Sequence, residues 1–125
     1  MAYQTDRSRV SGLGSAKSGT AHFFEQRISA IALFVLTPLF IWPFAYNLGD
    51  SYENVIAAYG HPINAVIAIA FIITVFLHLF QGLQVVIEDY VHGRFGLVLI
   101  IAARLLCSLF ALTGVYAIIK ISLGA

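Results

Sequence analysis

The chain has 125 residues, of which 60% are hydrophobic and only 10% charged, with a formal net charge of +1. A soluble domain holds about half its residues apolar and about a quarter charged, so this composition excludes a soluble globular enzyme and indicates a membrane protein. The single cysteine, Cys107, has no partner for a disulfide or a thiolate metal site within the chain, and no basic cluster is dense enough to suggest nucleic acid.

Met1 to Thr20 is polar and rich in Ser and Gly, with Arg7, Arg9 and Lys17 against one acid, Asp6. A signal peptide needs an apolar core close behind its basic residues, whereas the apolar run here begins late and is long. Enrichment in Arg and Ser fits a mitochondrial transit peptide, but Ser11-Gly-Leu-Gly-Ser-Ala-Lys-Ser-Gly19 has no amphipathic helical pattern. Residues 1–20 are therefore expected to be a retained, surface-lying tail.

From Ile28 to Leu48 the chain runs 21 residues without a formal charge, enough at 1.5 Å per residue to cross roughly 30 Å of hydrocarbon. Glu25 and Arg27 stand before this first span, and Trp42 and Tyr46 near its end suit an interfacial aromatic belt. Pro38 and Pro43 distort the helix, which a membrane helix tolerates if neighbouring groups satisfy the freed carbonyls. A connector over 49–61 carries Asp50 and Glu53 but no Lys or Arg.

A second span opens at Pro62, whose missing N–H suits a first helical turn, and covers 63–87 before Glu88, Asp89 and Tyr90 restore polarity. His92-Gly-Arg94-Phe-Gly96 reads as a turn. The third span is expected over 97–121 as one long tilted helix containing Arg104, snorkelling or paired; the alternative is an interfacial segment up to Arg104 followed by a shorter span. No internal repeat or domain boundary appears, so residues 21–125 are read as one all-α unit of three transmembrane helices. Basic residues cluster before the first span (Arg7, Arg9, Lys17, Arg27) and after the second (Arg94, Arg104). The positive-inside rule then places the N-terminus and the Asp89-Tyr90 end in the cytoplasm, or the matrix of a mitochondrion, and the C-terminus outside despite Lys120.

His78 lies about three turns from the inner end of the second span. An imidazole at that depth is expensive unless it coordinates a metal, hydrogen-bonds or lines water, which argues for function over a structural histidine. A haem iron takes imidazole well, but a six-coordinate b-type haem needs a second axial ligand at similar depth. The other histidines, His22, His61 and His92, fall at or beyond the span ends. If His78 binds haem, the opposite ligand must come from another polypeptide, and three short helices cannot bury a porphyrin on all sides. Gly82, one turn on, removes a side chain beside the imidazole, which lets a flat macrocycle approach.

Asp89 is eleven residues from His78, three full turns plus roughly 20°, so the two share a face about 16 Å apart along the axis. Asp89 and Tyr90 read equally as an interfacial acid with a belt tyrosine, or as a site in which the phenol donates to a quinone carbonyl and the carboxylate orients it or relays protons. Arg27 at the same membrane face suits haem propionates or a quinone oxyanion, or simply flanks the span as a positive-inside charge.

A mid-membrane histidine, a glycine four residues later and Asp-Tyr at plus eleven and plus twelve resemble the succinate dehydrogenase hydrophobic membrane-anchor family. The Gly12-Leu-Gly-Ser-Ala-Lys-Ser-Gly19 tail and Gln26-Arg27 are similar to its alphaproteobacterial and mitochondrial-like members. This resemblance implies a non-catalytic three-helix anchor that pairs with a three-helix cytochrome b subunit, shares one haem b with it, and docks a flavoprotein and an iron–sulfur protein. It puts His78 in the place of the haem axial ligand, Tyr90 in that of the ubiquinone-contacting tyrosine with Asp89 beside it, and Arg27 near the haem propionates. The spacing from His22 to Arg27 departs by one residue from some members. The implied location is the bacterial inner membrane, ahead of the mitochondrial inner membrane. Two other functions remain compatible with the residues: a haem-b anchor of a different quinone-linked dehydrogenase, which has no particular need of Asp-Tyr, and a non-enzymatic membrane transporter or assembly protein with His78 on a polar pathway.

Overall fold

The structure is a computed structural model and describes residues 19–124. Among these residues it contains four α-helices and no strand: α1 (Gly19–Tyr46), α2 (Tyr52–Gly60), α3 (Pro62–Tyr90) and α4 (Arg94–Ser122). Three of them, α1, α3 and α4, are long and apolar enough to cross a membrane. Each exceeds the expected apolar span. At 28 or 29 residues they reach roughly 42 Å, against about 30 Å of hydrocarbon, so their ends project or the helices tilt.

Two expectations change at the helix ends. Gly19 and Thr20 belong to α1 rather than to a polar tail, because polar residues continue a helix readily once the apolar body nucleates it; the rest of the expected tail lies outside the described residues. The expected turn over 92–96 shrinks to Val91, His92 and Gly93, and α4 starts at Arg94. It runs unbroken past Arg104 as one long helix.

The connector after α1 is more ordered than its composition suggests. Asn47 donates from Nδ2 to the Pro43 carbonyl at 2.6 Å, satisfying one of the groups left over at the helix end. Ser51 caps α2, its Oγ accepting from the Asn54 N–H at 3.3 Å. Asp50 accepts from Asn54 Nδ2 at 2.9 Å and from the Ser51 N–H at 2.7 Å; these bonds, that from Asn54 first, hold its carboxyl below the ordinary value. A single extended residue, His61, then ends α2 and begins α3. Its conformation follows from Pro62, which disfavours the helical region for the residue before it. Asn64 reaches back from α3 to the Ala58 carbonyl at 2.8 Å, tying the two helices together.

The middle helix, α3, packs against both α1 and α4, while α2 lies against α3 and α4, at the start of the one and the end of the other. The long helices alternate in direction along the chain. Phe40 of α1 stacks on Phe71 of α3 with centroids 4.4 Å apart and also leans on Tyr59 of α2 at 6.2 Å. On the other side Phe76 of α3 stacks on Phe110 of α4 at 6.3 Å. Close approach comes from small residues, as expected where lipid tails offer no hydrophobic drive between helices: Ala65, Ala68 and Cys107 are buried, and Gly114 faces Ile72. The short α3–α4 turn needs glycine twice. Gly93 has φ 78°, and a Cβ on Gly96 would collide with the Val91 carbonyl.

The three long helices thus form an open layer rather than a closed bundle. No residue of α1 is buried, and large apolar side chains such as Phe34, Trp42 and Leu112 are mostly exposed.

Candidate functional site

Serine and glutamine do not belong in hydrocarbon without partners, and two such residues meet His78 between α1 and α3. Ser29 Oγ lies 2.9 Å from His78 Nδ1 and 3.1 Å from Gln81 Oε1, and also 2.9 Å from the carbonyl of Gln26, one turn back on its own helix. All of these contacts are partly buried. The other ring nitrogen of His78, Nε2, makes no hydrogen bond among the described residues. No group of three or more His, Cys, Asp or Glu that could hold a metal ion occurs among them either, so a metal on His78 would draw its remaining ligands from outside this set.

Gly82 lies one turn from His78, and a Cβ built on it would meet nothing within 4 Å. The described residues therefore make no packing use of the missing side chain. This differs from Gly96 and Gly114, where neighbouring atoms crowd the same position.

Polar residues continue from Ser29 and His78 toward the end of α3 that carries Asp89 and Tyr90. Positions 22, 25 and 29 on α1 and 78, 81, 84 and 88 on α3 recur at three or four residues, the spacing of one helix face. Near the α1 start they open into a cleft of about 390 Å³ lined by Gly19, Ala21, His22, Glu25, Gln84 and Glu88. Within it Gln84 donates to Glu88 at 2.8 Å, and His22 Nε2 is buried without a partner.

The remaining candidates are not drawn into one cluster. Arg27 lays its guanidinium over Phe23 of the same helix, 4.9 Å from the ring centroid. Asp89 is exposed, and Tyr90 at the end of α3 is 81% exposed, its hydroxyl free of hydrogen bonds among the described residues. His61 and His92 are exposed at opposite ends of α3, well away from His78 along the helix axis. Sequence reasoning missed Ser29 and Gln81. The signal that pointed to them was the polar periodicity on the two helices, which becomes meaningful only once the helices are paired.

Comparison with known proteins gives a consistent result. The family described as succinate dehydrogenase/fumarate reductase transmembrane subunit matches residues 1–118. The chain is similar to the succinate dehydrogenase hydrophobic membrane anchor subunit of Paracoccus denitrificans, 38% identical over 125 residues, covering 100% of this chain and 97% of that protein. It is also similar to the proteins of the same description from Rickettsia bellii, 37% identical over 105 residues with 82% and 83% of the two chains covered, and Rickettsia conorii, 28% identical over 110 residues with 84% and 85% covered. No solved structure gives a significant match.

Proposed function

The chain belongs to the succinate dehydrogenase/fumarate reductase transmembrane subunit family, as a membrane anchor of succinate dehydrogenase, and from that premise we propose that it supplies one axial ligand of a shared haem b and part of a ubiquinone pocket. Its three apolar helices and its bacterial relatives fit an integral protein of the bacterial inner membrane.

The observation that carries the haem reading is the asymmetry of His78: Nδ1 is held by Ser29, while Nε2, in the body of an apolar helix, has no hydrogen-bond partner among the described residues. A neutral imidazole nitrogen with its other nitrogen held is the donor that haem iron takes, and the uncrowded Gly82 beside it leaves room for a flat group. When bound, such a haem supplies one-electron redox chemistry. A further ligand would come from a cytochrome b partner, for which the open layer of α1, α3 and α4 leaves ample apolar surface.

Tyr90 and Asp89 stand at the far end of the same helix, where a quinone head group meets water. The exposed phenol is free to donate to a quinone carbonyl, and the adjacent carboxylate to orient it or pass on a proton. Arg27 faces the same side of the membrane, where its charge attracts haem propionates or a quinone oxyanion. Succinate oxidation belongs to partner flavoprotein and iron–sulfur subunits, which this chain docks to the membrane without a catalytic group of its own.

Purification of the tagged chain in mild detergent tests the reading. The expected result is co-purification of three other polypeptides together with the absorption bands of a low-spin haem, and loss of those bands in His78→Ala. Haem bands unchanged by His78→Ala would overturn the ligand assignment, and a chain that purifies alone would overturn the anchoring role.

A further inference from the structure

Ser29 is a polar residue in the first half of an apolar helix, and it faces three potential acceptors with one proton. Its Oγ is 2.9 Å from the Gln26 carbonyl, 2.9 Å from His78 Nδ1 and 3.1 Å from Gln81 Oε1. Two oxygens at such a distance with no proton between them repel, because both present lone pairs. If the hydroxyl proton points at Nδ1, both oxygen contacts are left without one. If it points at Gln26 O or Gln81 Oε1, only one oxygen contact is left, and rotation of the Gln81 amide to present its N–H relieves that one when the proton goes to Gln26.

The arrangement that satisfies most of the cluster therefore has Ser29 Oγ accepting from His78 Nδ1–H. A histidine neutral and protonated at Nδ1 has its lone pair on Nε2. We infer that Ser29 is the positioning residue for His78: it fixes the imidazole in the tautomer whose Nε2 is free to ligate, sets the rotation of the ring, and strengthens Nε2 as a donor. The Gln26 carbonyl holds the hydroxyl in turn by taking its proton, and Gln81, with its amide rotated, by donating an N–H to the oxygen. The same contacts are side-chain hydrogen bonds joining α1 to α3, so the first helix acts as the support on which the ligand of the third is mounted. Groups that hold the second nitrogen of a ligating histidine commonly tune the metal they never touch.

This inference rests on the proposed ligation of haem by His78, and the test separates the two. The intact complex is prepared from membranes with Ser29→Ala, Ser29→Thr and His78→Ala, and each is examined by haem absorption, low-spin electron paramagnetic resonance and redox titration. Removing the acceptor weakens imidazole donation to the iron, which stabilises the ferric state less. Ser29→Ala is expected to retain haem and the co-purifying subunits but to shift the g values and raise the midpoint potential. Ser29→Thr, which keeps the hydroxyl, is expected to restore both. Wild-type g values and potential in Ser29→Ala, alongside haem loss in His78→Ala, would overturn the role of Ser29 and leave the ligand assignment standing. Wild-type haem in His78→Ala would overturn both. If Ser29→Ala does not assemble, Ser29→Cys, similar in volume and a weaker acceptor, reads the same shift, and wild-type values in it overturn the assignment.

Discussion

Arg104 of α4 places its guanidinium over the ring of Phe80 on α3, with Cζ 5.3 Å from the ring centroid. The charge in the body of α4 is thus met by the middle helix, beside a groove that also includes Cys107 and Ser108. A cation over an aromatic face gains about 0.5 kcal/mol where exposed and about 2 kcal/mol or more where desolvated. Phe80→Leu is expected to destabilise the α3–α4 pair by an amount in this range, and Arg104→Gln by a similar one. A double-mutant cycle read by detergent denaturation checks the pairing: strictly additive effects would mean that the two residues act separately.

The contrast between two glycines gives a second expectation. Gly96→Ala forces a Cβ against the Val91 carbonyl, a backbone atom that yields only if the turn moves, and overpacking of this kind costs about 1–3 kcal/mol. Gly82→Ala meets no atom of the described residues within 4 Å beyond its own helix backbone, and alanine is favoured over glycine in a helix by about 1 kcal/mol. The first substitution is expected to lower thermal stability of the purified complex, and the second to leave it unchanged or raised while perturbing the haem spectrum. A normal spectrum in Gly82→Ala would mean that no macrocycle lies against that turn.

Tyr90→Phe keeps the ring and removes the hydroxyl. Loss of a hydrogen bond worth about 0.5–1.5 kcal/mol is expected to reduce quinone-linked activity several-fold, with haem content and assembly normal. Assays of the intact complex with a quinone analogue and with a soluble acceptor that draws electrons upstream check this. Selective loss with the quinone identifies the site, equal loss with both indicates failed assembly, and full retention would make Tyr90 an interfacial aromatic.

If all three long helices cross the membrane, the two ends of the chain lie on opposite sides. By the positive-inside rule, the basic residues before α1 and after α3 are expected to hold the N-terminus and Tyr90 inside. A reporter joined before Met1 is then active only in the cytoplasm, and one joined after Ala125 only outside. The reverse pattern would move the proposed quinone pocket to the wrong face for the proposed soluble partners, and both ends on one side would mean that only two helices cross.

The long helices were legible because length and apolarity alone distinguish a membrane helix, and Pro62 and the Glu88-Asp89-Tyr90 cluster mark the ends of α3. The short α2 was not, since nine residues between polar flanks carry too few apolar positions for a period to show, and its stability comes from the Ser51 and Asp50 caps and from packing on α3 and α4. His78 stood out by its depth. Ser29 did not, because 49 residues separate it from its partner and nothing local to α1 distinguishes a serine bonded to another helix from one bonded back to its own carbonyl. Arg104 was legible as an anomaly, but its answer, the face of Phe80, depends on the register between α3 and α4. Arg27, expected near the inner-face cofactor, lies over Phe23, a contact that i and i−4 spacing on one helix makes available.

The cleft between the start of α1 and the end of α3 has an electrical consequence. Its walls of His22, Glu25, Gln84 and Glu88 bring a polar environment to within about one helical turn of Ser29, so the insulating slab along this line is thinner than the bilayer. With the long helices spanning a membrane and water filling this cleft, most of a transmembrane voltage would fall on the far side of His78. Carrying a full charge across the membrane takes about 2.3 kcal/mol per 100 mV, whereas a charge arriving at the depth of His78 from the Tyr90 side crosses only a minor part of that drop. If His78 ligates haem as proposed, redox events at this depth are consequently set by local chemistry and little affected by how strongly the membrane is energised.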